Sequence, residues 1–517
     1  MKISVSRLSF LVLSLVAFTF AVDAHAQCTL NTANPSVTIC TPANNATVTS
    51  PVNVVAGTTD SSKVTAMKIY LDGVAVFSTS SNQLNTTISI STSGTHRIAV
   101  QAWDSIGQVF KSVVNVNVTT STSGLSNIKH IFFMLQENRS LDSYFGRMPQ
   151  YRKPRGFIGD FDGLPANVTL LSVHGKPVSP YPFQTVCHEN LSPAWNESHY
   201  DVDGGKMDNF MKTTTSVPST IDPDGTRAMG YYDWNDLPYY YDLAFQYGTS
   251  DRFFSSVLAG TIPNRLFMFG ATSAGFVHSL SPPAGGWPIK TIFDAMDAAS
   301  VSWRYYYQDN SVFLAQFPTW QKNSGNVRSI ASYYTDIQNP STLPAVIFIE
   351  RDSSSLDEHP DHNVQKGAAR VKQIIDALMS SPTWSSSVFI WTMDEAGGLY
   401  DHVNPAAVVK PDNIAPMLGA HDLPGGYTQT GMRIPLIVAS PWSKPHYVSH
   451  TPMELTSILK LIEKRFNVPA LSARDANAPD MTEFFDFSSP HFAAPPPTLP
   501  QPTNGTCSYS MEKAPGF

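Results

Sequence analysis

Hydrophobic positions along this chain fall into two textures. Up to about residue 120 they alternate with polar ones. Met67, Ile69 and Leu71 alternate with Lys68 and Tyr70; Ile98, Val100 and Ala102 repeat the pattern, as do Val114, Val116 and Val118. A period of two marks strands with one covered face, and Asp72-Gly73 supplies a turn before the next apolar run, 74–77. Short strands between Gly, Asn and Ser turns predict a small all-β sandwich over residues 28–120. The stretch TTSTSGLS (119–126) has the composition of a flexible connection, so 121–126 is read as a linker.

From residue 127 the apolar runs become continuous: IFFML (131–135), AVIFI (345–349), VFIW (388–391) and IPLIVA (434–439). Such short runs suit strands covered on both faces, hence a mainly parallel sheet. Helical patterning over 364–379 and 452–466 lies between or after them. That alternation predicts an α/β body, 127–490, with helices flanking the sheet. The last segment, 491–517, is rich in proline and predicted to run extended over the surface.

Composition narrows the classes. A chain of 517 residues suits two or three domains, and 42% apolar against 15% charged residues excludes global disorder. A net charge of −7 argues against a nucleic-acid partner, which calls for a basic face. Lys2 and Arg7 precede an apolar run, 8–22, and then Ala24-His25-Ala26, the pattern of a cleaved export signal over 1–26. That run is shorter than the roughly 20 residues that span a bilayer, and nothing comparable follows. The expectation is a secreted or periplasmic bacterial protein without a transmembrane segment. Cys28, Cys40, Cys187 and Cys507 suit an oxidising compartment. They allow three pairings; the proximity of Cys28 to Cys40 favours Cys28–Cys40 with Cys187–Cys507.

The chemistry lies after the buried runs. Gln136-Glu137-Asn138-Arg139 follows the first, Glu350-Arg351-Asp352 and later Glu358-His359 the second, and Asp394-Glu395 with Gly397-Gly398 the third. Ligands of open α/β sheets collect at the carboxyl ends of strands, so carboxylates and a histidine converge on one edge. Carboxylate and amide oxygens are hard ligands suited to Mg²⁺, Ca²⁺ or Mn²⁺, with Zn²⁺ or iron admitted if histidine joins. Taken singly, each acidic pair reads equally as a helix cap or an arginine partner. Thr261 follows Gly260 and precedes Pro263, which places a hydroxyl at a helix start, where free N–H groups meet anions. Alone, that threonine would be an N-cap.

Taken together, the blocks IKHIFFMLQENRSLDSYFG (128–146), DRFFSSVLAGTIPNRLFMFGA (251–271), DEHP (357–360), WTMDEAGGLYDHV (391–403) and GMRIPLIVASPW (431–442) resemble, in order, those of the phospholipase C / acid phosphatase family. The resemblance implies an alkaline-phosphatase-like fold and hydrolysis of phosphoric esters. It implies a divalent metal held by Glu137, Asn138, Thr261, Asp394 and Glu395, with Thr261 as nucleophile. His359 matches a histidine that faces the phosphoryl group, and His188 matches a second across an insertion, with His199 its competitor. His402, in the DHV motif, serves either in contact or as support. The β-rich segment resembles a bacterial immunoglobulin-like domain in pattern, its ligand unspecified. The implied substrate is a phosphoester, a phospholipid among the options, and the abundant rings of 231–245 suit either a choline pocket or packing. Two other readings stand beside this one: a serine esterase using Ser273 in ATSAG (271–275), and a non-catalytic adhesion protein.

Overall fold

The computed structural model describes residues 29–517 except 51, 89, 91–93, 120–123, 310–311 and 353–354. The export signal and Cys28, hence the Cys28–Cys40 pairing, lie outside the described residues. The chain divides into two compact units, one of residues up to 48 with 52–87 and 94–117, the other of 49–51, 88–93 and 118–517.

In the first unit the alternating segments form two sheets. Ser36–Thr41, Val52–Thr59 and Gln83–Ile88 make one; Ala46–Thr49, Val109–Thr119, Gly94–Asp104, Val64–Leu71 and Val74–Thr79, in that spatial order, make the other. Met67, Ile69, Ile98, Val100, Ala102 and Val116 are buried, as their alternation predicts. This is the all-β sandwich.

The second unit is built on an eight-stranded sheet. Its order is Val327–Ser329, Trp303–Tyr307, Val346–Ile349, His130–Gln136, Ser387–Met393, Leu436–Ala439, Gly248–Ser250 and Tyr447–Ser449. Every residue of the four predicted strands' assigned spans is buried, which explains their unbroken apolar runs. The sheet is parallel except at Leu436–Ala439, which runs antiparallel to both neighbours. The reversal has a simple cause. No helix separates Ser387–Met393 from Leu436–Ala439, so the chain never returns to the amino edge and re-enters the sheet backwards.

Helix Val364–Met379 coincides with its predicted span; Asn363 caps it by accepting from the amides of Gln365 and Lys366. The helix predicted over 452–466 is shorter, Thr456–Phe466, because Met453–Glu454 pairs as a strand with Phe253–Phe254. The C-terminal segment also departs from expectation. Beyond its Pro-rich part it docks: Thr506 O accepts from the Val186 amide at 2.9 Å, Glu512 and Ala514 are buried, and Cys507 is bonded to Cys187.

The central strands cross-pack through aromatic rings, with Phe389 stacked on Phe132 at 6.1 Å between centroids. Phe389→Ala should cost the α/β unit about 3–5 kcal/mol, the penalty for emptying a well-packed aromatic site. Urea denaturation followed by near-UV circular dichroism checks this; a loss below about 1 kcal/mol would show that the centre of the sheet collapses around the gap.

Candidate active site

Two parallel strands set the position of the site. His130–Gln136 and Ser387–Met393 pair in register from His130↔Ser387 to Gln136↔Met393, and the Asp394 amide continues the ladder to Gln136 O at 3.1 Å. Glu137 and Asp394 therefore leave the sheet side by side. Asn138 turns next with φ 68°, a left-handed conformation that asparagine tolerates. The opposing chain must be glycine there: a Cβ on Gly397 would stand 2.3 Å from Asn138 O. The Gly397 amide in turn donates to Glu395 Oε2 at 2.5 Å.

Thr261 arrives from a different direction. It opens helix Thr261–Gly270, and the turn before it is stapled by Asn264. The Asn264 side chain accepts from the amides of Ser256 and Val257 and donates to the carbonyls of Val257, Ala259 and Gly260. This fixes the Thr261 hydroxyl 3.5 Å from Asn138 Oδ1.

Charge at this edge is unbalanced. Glu137, Glu350, Asp394 and Glu395 are buried, and the cations that meet them are Arg265 and Arg351. Arg351 Nε lies 2.6 Å from Glu137 Oε1 and Arg265 Nη1 3.7 Å from the same oxygen, while Arg265 also binds Glu350. Burial, then the Glu137 charge, push the Asp394 carboxyl far above the usual range; burial and Asp394 do the same to Glu395. Asp394 Oδ2 and Glu395 Oε1 are buried without a hydrogen-bond partner. Unpaired buried carboxylate oxygens beside an amide and a hydroxyl fit a hard divalent cation.

Another acidic cluster is closed. Ligand atoms of Asp142, Asp401 and His402 lie within 4.8 Å of one another. A cation already occupies the centre, because the buried Arg433 donates from Nε to Asp401 at 2.9 Å and from Nη2 to Asp142 at 3.0 Å. His402 meets Asp142 through Nδ1 at 2.7 Å and Asp162 through Nε2 at 3.2 Å, so both ring nitrogens are engaged. Burial opposes its charge, yet those two carboxylates outweigh it and push His402 up to about 9.

The remaining histidines are placed as follows. His188 is buried and stacked on Phe183; Nδ1 meets Glu189 O at 2.9 Å, and Arg139 Nη1 lies 2.5 Å from Nε2. Burial and Arg139 lower its pKa well below the ordinary range, which keeps it neutral. His199 sits against the Trp195 ring, with Nδ1 2.7 Å from Trp195 O. His359 is partly exposed, its Nδ1 2.6 Å from Asp361 Oδ1. Ser273 is buried and donates to the Tyr427 hydroxyl at 2.9 Å, past the end of a helix, where no strand-to-helix elbow exists.

The supporting roles of two acids escaped the sequence reading. Asp357 ties Arg351 to His362, and its carbonyl accepts from the Glu137 amide at 3.1 Å. Glu358 is buried against Tyr144, Tyr240 and Gln136, with burial raising its pKa to about 7. The motif DEHP contained both, but only its histidine announced a chemical role.

Fold and edge together define a class: an α/β enzyme whose acid, amide and hydroxyl groups gather at the carboxyl ends of its central strands. The model of the Phosphoesterase family matches residues 128–469, and the chain belongs to that family. It is a hydrolase acting on phosphoric ester bonds, which sets aside the serine-esterase and non-catalytic readings. The bacterial Ig domain model matches residues 35–100. Phospholipase C B of Mycobacterium tuberculosis is 29% identical over 422 residues, spanning 71% of this chain and 79% of that protein. Non-specific phospholipase C6 of Arabidopsis thaliana is 30% identical over 417 residues, 73% of this chain and 75% of its own. Non-hemolytic phospholipase C of Burkholderia pseudomallei is 27% identical over 482 residues, covering 79% and 66% respectively.

Two outcomes follow from this geometry. The His402 pKa is raised on folding, so its contribution to stability is full below about pH 6.5, the unfolded value, and fades as pH rises through about 9. Melting temperatures of wild type and His402→Gln should therefore converge across that interval; a constant gap would refute the charged pairing. The second concerns Cys187–Cys507, with a sequence separation of 320, whose tail accepts the Val186 amide and places Glu512 on the Glu189 amide. Cys507→Ser should speed hydrogen exchange at 185–189 while leaving strand Ser387–Met393 protected. Equal protection in both proteins would reduce the bond to a surface staple.

Proposed function

We propose that this protein is an exported, metal-dependent phosphodiesterase of the phospholipase C type, working through a phosphothreonine intermediate. The observation that carries the reading is the placement of the Thr261 hydroxyl beside Asn138, at the edge where Asp394 and Glu395 keep unpaired buried oxygens. Glu137, Asn138, Thr261, Asp394 and Glu395 would hold the cation. The chemistry it supplies when bound is to favour the alkoxide of a hydroxyl and to screen phosphate charge.

The chain's own groups do the rest. Asn264 holds the turn so that Thr261 Oγ1 faces the edge for attack on phosphorus. Asp361 engages His359 Nδ1, which leaves Nε2 to give a proton to the departing alcohol oxygen and later to take one from water. Burial, with Arg139 beside it, keeps His188 neutral, so that ring adds no charge beside the phosphate. A phospholipid substrate is favoured over a soluble monoester because the named relatives are phospholipases C.

Thr261→Ala is the direct test. Turnover of a chromogenic phosphodiester should fall by at least about 10³-fold, with the far-UV spectrum unchanged. A folded variant that keeps more than about a tenth of the rate would assign the attack to another group. Wild-type turnover should be lost in EDTA, and the diester should be preferred to the matching monoester; a preference for the monoester would overturn the phospholipase reading.

A further inference from the structure

We propose that the loops at 278–282 and 409–423 form a docking surface for a zwitterionic lipid interface at the mouth of the site, a proposal that rests on the phospholipase reading above. Leu280 (58% exposed), Val409 (46%), Ile414 (49%), Met417 (49%), Leu418 (39%) and Leu423 (37%) carry large apolar side chains into solvent. Single exposed apolar residues are ordinary; such a concentration on two neighbouring loops marks an interaction surface.

These loops are held firmly while their side chains stay uncovered. Met417 N donates to Gly275 O at 2.8 Å, Leu423 N to Asn196 Oδ1 at 2.8 Å, and Arg474 Nε to Val409 O at 2.5 Å. His278 Nε2 joins Asp422 Oδ2 at 2.8 Å and so ties the two loops together. The apolar side chains are thus presented on a fixed frame, which an interfacial anchor requires.

The surface borders the candidate nucleophile. Ser279, next to Leu280, places its Oγ 3.4 Å from the Ile262 amide, one residue beyond Thr261. From the other side, Trp195 Nε1 donates to Leu423 O at 2.9 Å, and Pro193 lies 3.8 Å from a Cβ built on Gly260. The first loop therefore touches the turn that carries Thr261, and the second reaches it through the segment 193–195.

Charge selects the partner. Apart from the exposed His421, ionisable groups of the second loop are turned to local partners: Lys410 to Asn413, Asp412 to Thr272, Asp422 to His278 and the Gly419 amide. No cationic cluster is presented to an anionic headgroup, and the chain carries −7 overall. A neutral, zwitterionic surface fits; an anionic one would be repelled.

The experiment uses vesicles of phosphatidylcholine. Binding is measured by sedimentation in the Thr261→Ala background, so that the surface is not consumed, and turnover of a soluble chromogenic diester in the Thr261 background. Ile414→Ser/Met417→Ser/Leu418→Ser should weaken vesicle binding by at least about tenfold and leave soluble turnover unchanged; Leu280→Ser should weaken binding less. Unchanged binding by the triple variant would overturn the proposal. Failure of the parent to bind vesicles while it hydrolyses the soluble diester would also overturn it and leave the phosphodiesterase reading standing. Patch-dependent binding without soluble turnover would support the surface and reject that reading. Conversion of a dimer to a monomer by the triple variant, with no vesicle binding by the parent, would assign the surface to a second copy and overturn the lipid proposal.

Discussion

Parallel pairing of His130–Gln136 with Ser387–Met393 is the constraint on which the site depends, because its register brings Glu137 and Asp394 out of the sheet together. Two buried carboxylates at adjacent strand ends repel and lose hydration, a cost the chain must offset nearby. Glu137 is where the compensation is organised. Arg351, from the loop after Val346–Ile349, and Arg265, from the helix that begins with Thr261, both reach its Oε1. One carboxylate thereby joins the central strand, the neighbouring strand's loop and the helix that begins with Thr261. The two arginines cannot balance all four acids, and burial with mutual repulsion raises the carboxyls of Asp394 and Glu395.

A second layer fixes the loop that carries His359. Glu358 sits one residue before it, with φ 65°, and its carboxylate is taken up by Tyr144, Tyr240 and Gln136. Its carbonyl accepts from Arg139 Nε at 2.8 Å, and the same guanidinium reaches His188. The loop is thus anchored by a buried acid rather than by apolar packing, and Gly367 leaves the room: a Cβ there would stand 2.2 Å from Glu358 Cγ. His359 and His188 are therefore related through one arginine, although 171 positions do not separate them in any local pattern a window could detect.

Much of this was legible because strand burial writes itself into contiguous residues. The runs at 131–135 and 388–391 announced strands, and the acids after them announced the edge. Helix Val364–Met379 was equally plain from its patterning. The reversed strand Leu436–Ala439 was not, since apolar content carries no direction; direction lies in the absence of an intervening helix. The docking of the tail was hidden for a related reason. Glu512 finds the Glu189 amide, and Tyr181 donates to Glu512 O, across more than 300 residues, through contacts that leave no periodicity in a Pro-rich segment. Asp357 and Glu358 were visible as letters but not as supports, because their partners come from other strands and helices.

Two acidic clusters at this end of the molecule show why residue type alone does not make a site. Around Arg433, the acids Asp142, Asp401 and Asp162 face Arg433, Arg252 and a His402 that burial alone would have neutralised, so charges match, and of their carboxylate oxygens only Asp401 Oδ2 is buried without a hydrogen bond. Such a network, with Arg433 as its central cation, holds the segments around Asp142, Asp162 and Asp401 in place. Around Glu137, acids exceed bases and two carboxylate oxygens remain unpaired in a buried setting. Leaving buried oxygens unpaired where acids also outnumber bases is destabilising unless a ligand is recovered there, whereas a charge-matched network gains less from one. The asymmetry between the two clusters, rather than the count of acids in either, is what sets the candidate site apart.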